Sequence, residues 1–191
     1  MKYVKILNEQ WFDDMLSDYE NAFQKLYHKF QLFNYNVVPH HHEFQSTPIE
    51  KYGKDFPFPF AADLYTIYMW LIGKKKRPAN TEDILEQIYH LVWFNPFVDY
   101  TETIEEGAVS ERWTGEMGAH TGQFYRFAKT ALKVDTGQPI NATDLSFLSN
   151  MTISGITKQI KEGNLQASKV KKEWLIESEE AIAWIKKKDW K

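Results

Sequence analysis

The chain has 191 residues and no cysteine, with 26 Asp/Glu against 23 Lys/Arg for a formal charge of −3. Hydrophobic residues make up 43% of it and aromatic residues 16%, which is enough apolar surface to bury a core and too much for a disordered chain. Disulfides and thiolate metal sites are excluded, and no run approaches the roughly eighteen apolar residues needed to cross a bilayer.

The first residues, Met1-Lys2-Tyr3-Val4-Lys5, lack the apolar stretch of a secretion signal, so a cytoplasmic protein is expected. Residues 3–7 and 36–38 are short candidate strands. Trp11, Phe12, Met15, Leu16, Tyr19, Phe23, Leu26, Tyr27 and Phe30 recur at spacings of three and four, predicting a helix of about five turns with Asn8 as a possible cap. A second helix is predicted near residues 60–72, with Leu64, Ile67, Tyr68 and Leu71 on one face and Gly73 as its stop. A third begins at Thr81, where Glu82 and Asp83 suit the helix dipole, and buries Ile84, Leu85, Ile88, Leu91 and Val92 before Pro96. Phe124, Phe127, Ala128, Ala131 and Leu132 mark a fourth. Residues 37–59 hold four prolines and read as a packed connector, extended over residues 56–60. Residues 95–123 hold four glycines and read as a long loop or mobile lid. Asp135-Thr136-Gly137-Gln138-Pro139 is the expected domain boundary. The expected architecture is therefore mainly helical: an aromatic-rich domain over residues 1–135, for dimerisation or sensing, and a small second domain over residues 138–191.

That second domain carries the most information. Asn141 can cap a helix on which Leu145 and Leu148 share a face. Asn150 tolerates the left-handed backbone of a sharp exit, and Thr152 would cap the next helix. There Ile156 and Ile160 face inward while Ser154, Thr157, Lys158 and Lys161 face outward. Gly163 ends it. Residues 165–176 alternate loosely around Lys169-Val170-Lys171-Lys172-Glu173-Trp174, the pattern of a hairpin with lysines at its tip. Ser178, Glu179 and Glu180 open a last helix bearing Ile182, Trp184 and Ile185, with Lys186, Lys187 and Lys188 at its C-terminus.

This stretch resembles the excisionase-like, MerR-related winged helix-turn-helix family over residues 140–187. The core of the match is Thr152-Ile153-Ser154-Gly155-Ile156-Thr157-Lys158-Gln159-Ile160-Lys161-Glu162-Gly163-Asn164-Leu165, and Val170, Trp174, Ile176 and Trp184 fall at the family's wing and final-helix positions. Departures sit at Lys171 and Leu175, where glycine and arginine are common, and at Ile153, Gly155 and Gln159. The resemblance implies a double-stranded DNA partner, read by residues 152–162 in the major groove with the wing on phosphates. The implied contact residues are Thr152, Ser154, Thr157, Lys158, Lys161, Lys169, Lys171 and Lys172. A transcriptional regulator or excisionase-like accessory factor of bacterial or phage type is expected, with no enzymatic activity and no cofactor. The alternative is an adaptor of phage or mobile-element type whose winged module meets protein.

Charge splits as −5 over residues 1–139 and +2 over residues 140–191. The second figure is modest for a phosphate-binding domain, so weak binding by one copy is expected, with a homodimer or partner protein engaged through the N-terminal domain. Three further clusters read as bland. His40, His41, His42 and Glu43 lack the helical spacing of a metal site, so no metal is expected. Glu111, Arg112, Glu116 and His120 combine acid, base and cation in one glycine-rich stretch, as any long loop would. Lys74-Lys75-Lys76-Arg77 could touch a phosphate backbone beside the winged module, but the favoured reading is a solvated loop that complements the end of the second helix. The aromatic residues of the N-terminal helices read as core, with some left over for a patch or pocket.

Overall fold

The computed structural model describes residues 7–33, 49–51, 53–56, 59–93, 99–105, 108–114 and 118–187. In chain order these form α1 (Glu9–Phe33), β1 (Ile49–Lys51), β2 (Lys54–Phe56), α2 (Pro59–Leu71), α3 (Thr81–Trp93), β3 (Asp99–Glu105), β4 (Ala108–Thr114), α4 (Gly118–Asp135), β5 (Ile140–Asn141), α5 (Ala142–Ser149), α6 (Ile153–Lys161), β6 (Ser168–Val170), β7 (Glu173–Ile176) and α7 (Ser178–Lys187). The protein is mainly helical. Among the described residues three small antiparallel sheets form: β1-β2, β3-β4 and β5-β7-β6.

Two expectations change. The stretch 95–123 is no simple loop, because residues 99–105 and 108–114 pair in a hairpin that sets Tyr100 opposite Trp113 and Ile104 opposite Val109. The β-branched and aromatic residues there favour strand, and they outweigh the glycines. In the proline-rich connector β1 pairs with β2, and Pro59 opens α2 rather than prolonging an extended run. Proline suits the first helical position, where its missing N–H has no intrahelical acceptor. The histidine cluster at residues 40–42, the candidate strand at 36–38 and all but Leu7 of the candidate strand at 3–7 lie outside the described residues.

The chain divides into two packed units. One comprises residues 9–66 and 82–123. Phe12, Met15, Leu16 and Tyr19 of α1, Phe56 of β2, Leu64 and Tyr65 of α2, and Ile84, Leu85 and Ile88 of α3 are buried in it. Each such side chain contributes roughly 1.5–3 kcal/mol by leaving water. Tyr65 is central, its ring 5.9 Å from Phe12 and 5.2 Å from Phe56. Lys54 pairs with Glu9 and Lys51 with Asp63 at 3.3 Å. Asp18 meets His120 Nδ1 at 2.6 Å, with the edge of Trp11 against that imidazole at 5.1 Å. Burial pushes the neighbouring Tyr19 phenol well above its ordinary range.

The other unit comprises residues 1–8, 67–81 and 124–191. It gathers Ile67, Trp70 and Leu71, the α4 face Phe124, Phe127, Ala128, Ala131 and Val134, and the buried residues of β5, α5, α6, β7 and α7. Its helices α2, α4 and α6 end alike. Gly73, Gly137 and Gly163 all have φ near +75°, and each donates its N–H to a carbonyl three residues back while the next residue reaches five back. This glycine-centred C-cap satisfies the last carbonyls and turns the chain sharply. Glycine 137, expected as a linker residue, is thus the cap of α4.

Candidate nucleic-acid interface

Asn141 starts the C-terminal assembly by doing two jobs. As the last residue of β5 it pairs with Leu175, next to the Ile140–Ile176 pair. Its extended backbone, φ −92° and ψ 176°, also lets it cap α5. Its side-chain oxygen accepts from the Asp144 N–H at 2.8 Å, and the Asp144 carboxylate accepts from the Asn141 N–H at 3.4 Å. That carboxylate also takes Lys133 Nζ of α4 at 2.8 Å. Further along α5, the Phe147 ring stands edge-on to Phe127 at 6.4 Å with the Arg126 guanidinium 5.1 Å from its centroid. Helix α5 therefore leans on α4, which the expected boundary at 136–139 would have set apart.

Asn150 makes the turn, at φ 52° and ψ 33°. Thr152, extended at ψ 152°, caps α6 by accepting from the Gly155 N–H at 3.1 Å. Glycine fits here because a Cβ would lie 3.2 Å from that same Thr152 hydroxyl. Ile156 and Ile160 are buried, while Ser154, Lys158 and Lys161 are exposed and Thr157 is half-buried. Between α6 and β6, the Gln166 N–H donates to Glu180 Oε1 at 3.0 Å, fastening that crossing to α7. The hairpin then pairs Val170 with Glu173 across the two residues Lys171 and Lys172.

The eight expected contact residues do not all stand free. Thr152 is used by the cap, and the Ser154 hydroxyl lies 3.1 Å from it. Lys158 reaches Glu162 one turn on at 3.8 Å, a weak exposed pair. Lys169 lies in the strand rather than at the tip, its ammonium 5.6 Å from the Trp174 ring centroid. Lys171 and Lys172 form the tip, and Lys171 adopts φ 55°. This is the position where the expected family pattern has glycine, so the lysine sits in a backbone region that glycine enters more cheaply.

Charge shows what reading the sequence in two consecutive halves misses. The unit containing these elements holds 18 Lys/Arg and 8 Asp/Glu, a net of +10, and the other unit holds 5 and 18, a net of −13. The split at residue 139 gives only +2 to the C-terminal side because it excludes Lys2, Lys5, the run Lys74, Lys75, Lys76 and Arg77 after α2, and Arg126, Lys129 and Lys133 of α4, against the single acid Asp135. Charge of this size and one sign attracts polyanions over a Debye length.

The remaining candidates are dispersed. Glu111 and Arg112 fall on β4, His120 on α4 beside Asp18, and Glu116 outside the described residues. Among the described residues no group of three or more His, Asp or Glu is placed to hold a metal ion, and no helix is long and apolar enough to cross a membrane. No protein-family model, no curated protein and no solved structure matches this chain.

Proposed function

We propose that the chain binds double-stranded DNA through residues 140–187 acting as a winged helix-turn-helix, with α6 in the major groove and the β6-β7 hairpin against a phosphate strand. The observation that carries this reading is the β5-β7-β6 sheet, which ties the strand before α5 to the hairpin after α6. Helix pair and hairpin become one body, and α6 keeps Ser154, Lys158 and Lys161 outward while Ile156 and Ile160 are buried. The +10 charge supports the same reading. It also replaces the modest +2 that made a single copy look weak, so one copy has affinity of its own and pairing through residues 1–135 adds to it. A transcriptional regulator or an accessory factor of recombination is the fitting role. Fluorescence anisotropy with a random duplex at several salt concentrations tests it: a steep fall of affinity with salt is expected, and no binding at low salt would refute it.

A second reading has its own support. Ile153 on α6 and Val170 on the hairpin are each 49% exposed, and large apolar side chains at both candidate contact elements suit a protein partner as well as thymine methyl groups. Affinity that ignores salt, or capture of a partner that survives loss of the lysines, would favour it.

A further inference from the structure

The cations after α2 form a second feature of the basic unit. Lys74, Lys75, Lys76 and Arg77, all exposed, border a cleft of about 430 Å³ whose lining also includes Trp70 and Asp135. The turn that carries them is fixed. Gly73 N–H donates to the Trp70 carbonyl at 2.9 Å, and the N–H groups of Lys74 and Lys75 donate to that of Met69 at 2.9 and 3.1 Å. The Asp135 carboxylate is engaged by the buried Trp70 indole, whose N–H donates to Oδ2 at 3.0 Å. Among the described residues, Lys74, Lys76 and Arg77 make no ion pair. An isolated run of lysines is ordinarily a solvated surface. Here a rigid turn gathers three unmatched cations at the mouth of a cleft, in the same unit as the wing and α6.

We propose that this cleft is a second phosphate-binding site, which engages backbone phosphates of the duplex. Its place on DNA rests on the proposed function, whereas its chemistry does not. Lysine is a compact point charge suited to phosphate rather than to reading base edges, and Arg77 can hold two phosphate oxygens at once. The site therefore adds affinity without sequence preference.

The test uses the full chain with K74Q/K76Q/R77Q, with K158Q/K161Q alongside. These side chains are exposed, so each variant should keep the wild-type melting temperature. Duplex binding at several salt concentrations should show the triple variant's slope reduced by about two to three, at roughly 0.9 per phosphate lost, with random and preferred sequences weakened alike. An unchanged slope and affinity overturns the inference while leaving the DNA reading intact. Loss in the triple variant with none in K158Q/K161Q supports the cleft and overturns the groove assignment of α6. Calorimetry with inorganic pyrophosphate separates the sources of phosphate: binding by wild type that the triple variant loses supports the cleft even if no duplex binds, and absence of both kinds of binding overturns it. D135N keeps an oxygen for the Trp70 indole and removes a negative charge, so it should tighten pyrophosphate binding; weaker binding would count against the site.

Discussion

The two units of this chain carry opposite charge and treat their cations differently. In the unit of net −13, Lys51 and Lys54 are matched to Asp63 and Glu9. In the unit of net +10, Lys133 and Lys158 meet Asp144 and Glu162, but Lys74, Lys76, Arg77, Lys161, Lys171 and Lys172 have no carboxylate partner among the described residues. A chain close to neutral overall thus presents one unit suited to a polyanion and one that repels it. Net charge describes a sequence, whereas partner choice follows charge as the fold assembles it.

The strongest way to break the contrast is to dismantle the core of one unit. Ile156→Ala empties a fully buried position on α6, with an expected cost of about 2–5 kcal/mol. Duplex binding should fall with that unit's melting transition. If the aromatic near-ultraviolet signal of the acidic unit is lost in the same step, the two units unfold as one. Next in size is the charge itself. K158A/K161A should reduce the salt slope by about two and affinity at physiological salt by roughly tenfold to thirtyfold, while K51A/K54A should leave both unchanged. Equal losses in the two variants would show that the contrast between the units has no bearing on binding.

A smaller effect is expected at the tip of the β6-β7 hairpin. Lys171→Gly relieves the φ of 55°, and thermal denaturation should show a gain of about 1 kcal/mol. The same change removes one cation, so duplex affinity should drop while stability rises. A fall in both would mean the lysine stem packs usefully in the hairpin.

The smallest expected effect is on pH dependence, where the units differ in sign. Burial raises the Asp135 carboxyl above its ordinary value, so its contribution to stability is complete below the unfolded pKa and is lost as pH rises through the folded one. The hydrogen bond and charge of Lys54 lower Glu9, so its contribution is present above the unfolded pKa and is lost as pH falls through the folded one. Chemical denaturation at neutral and acidic pH should therefore show Asp135→Asn as neutral to stabilising at neutral pH and Glu9→Gln as slightly destabilising there. The reverse order would refute both assignments.

Sequence served best where a single residue decides the backbone. Asn141, Asn150, Thr152 and Gly163 each announce a cap or a turn by side-chain chemistry alone. Helices α1 to α4 were legible from apolar spacing, because one buried face imposes a period of three to four. What escaped depended on partners distant in sequence. The two-residue strand β5 has no local signature and exists because Leu175 and Ile176 lie beside it. The hairpin at 99–114 was hidden by the glycines that flank it. At the candidate site, Lys158, Lys161, Lys171 and Lys172 were legible as outward cations. Sequence alone leaves the Lys74-Lys75-Lys76-Arg77 run as either a solvated loop or a phosphate contact, since 50 residues separate its first lysine from Phe124, where that unit resumes.

The pairing of Ile140 with Ile176 also bears on the order of folding. It closes a loop of 35 intervening residues, whereas β6 and β7 meet across two and α5 and α6 across three. Closure entropy rises with loop length, so the hairpin and the helix pair should form early and the Ile140–Ile176 contact late. In stopped-flow measurements, Ile140→Ala should mainly speed unfolding and Leu145→Ala should mainly slow refolding. Late closure would make β5 the latch of the assembly: the contact whose release frees the hairpin from the helix pair while each keeps its own local structure.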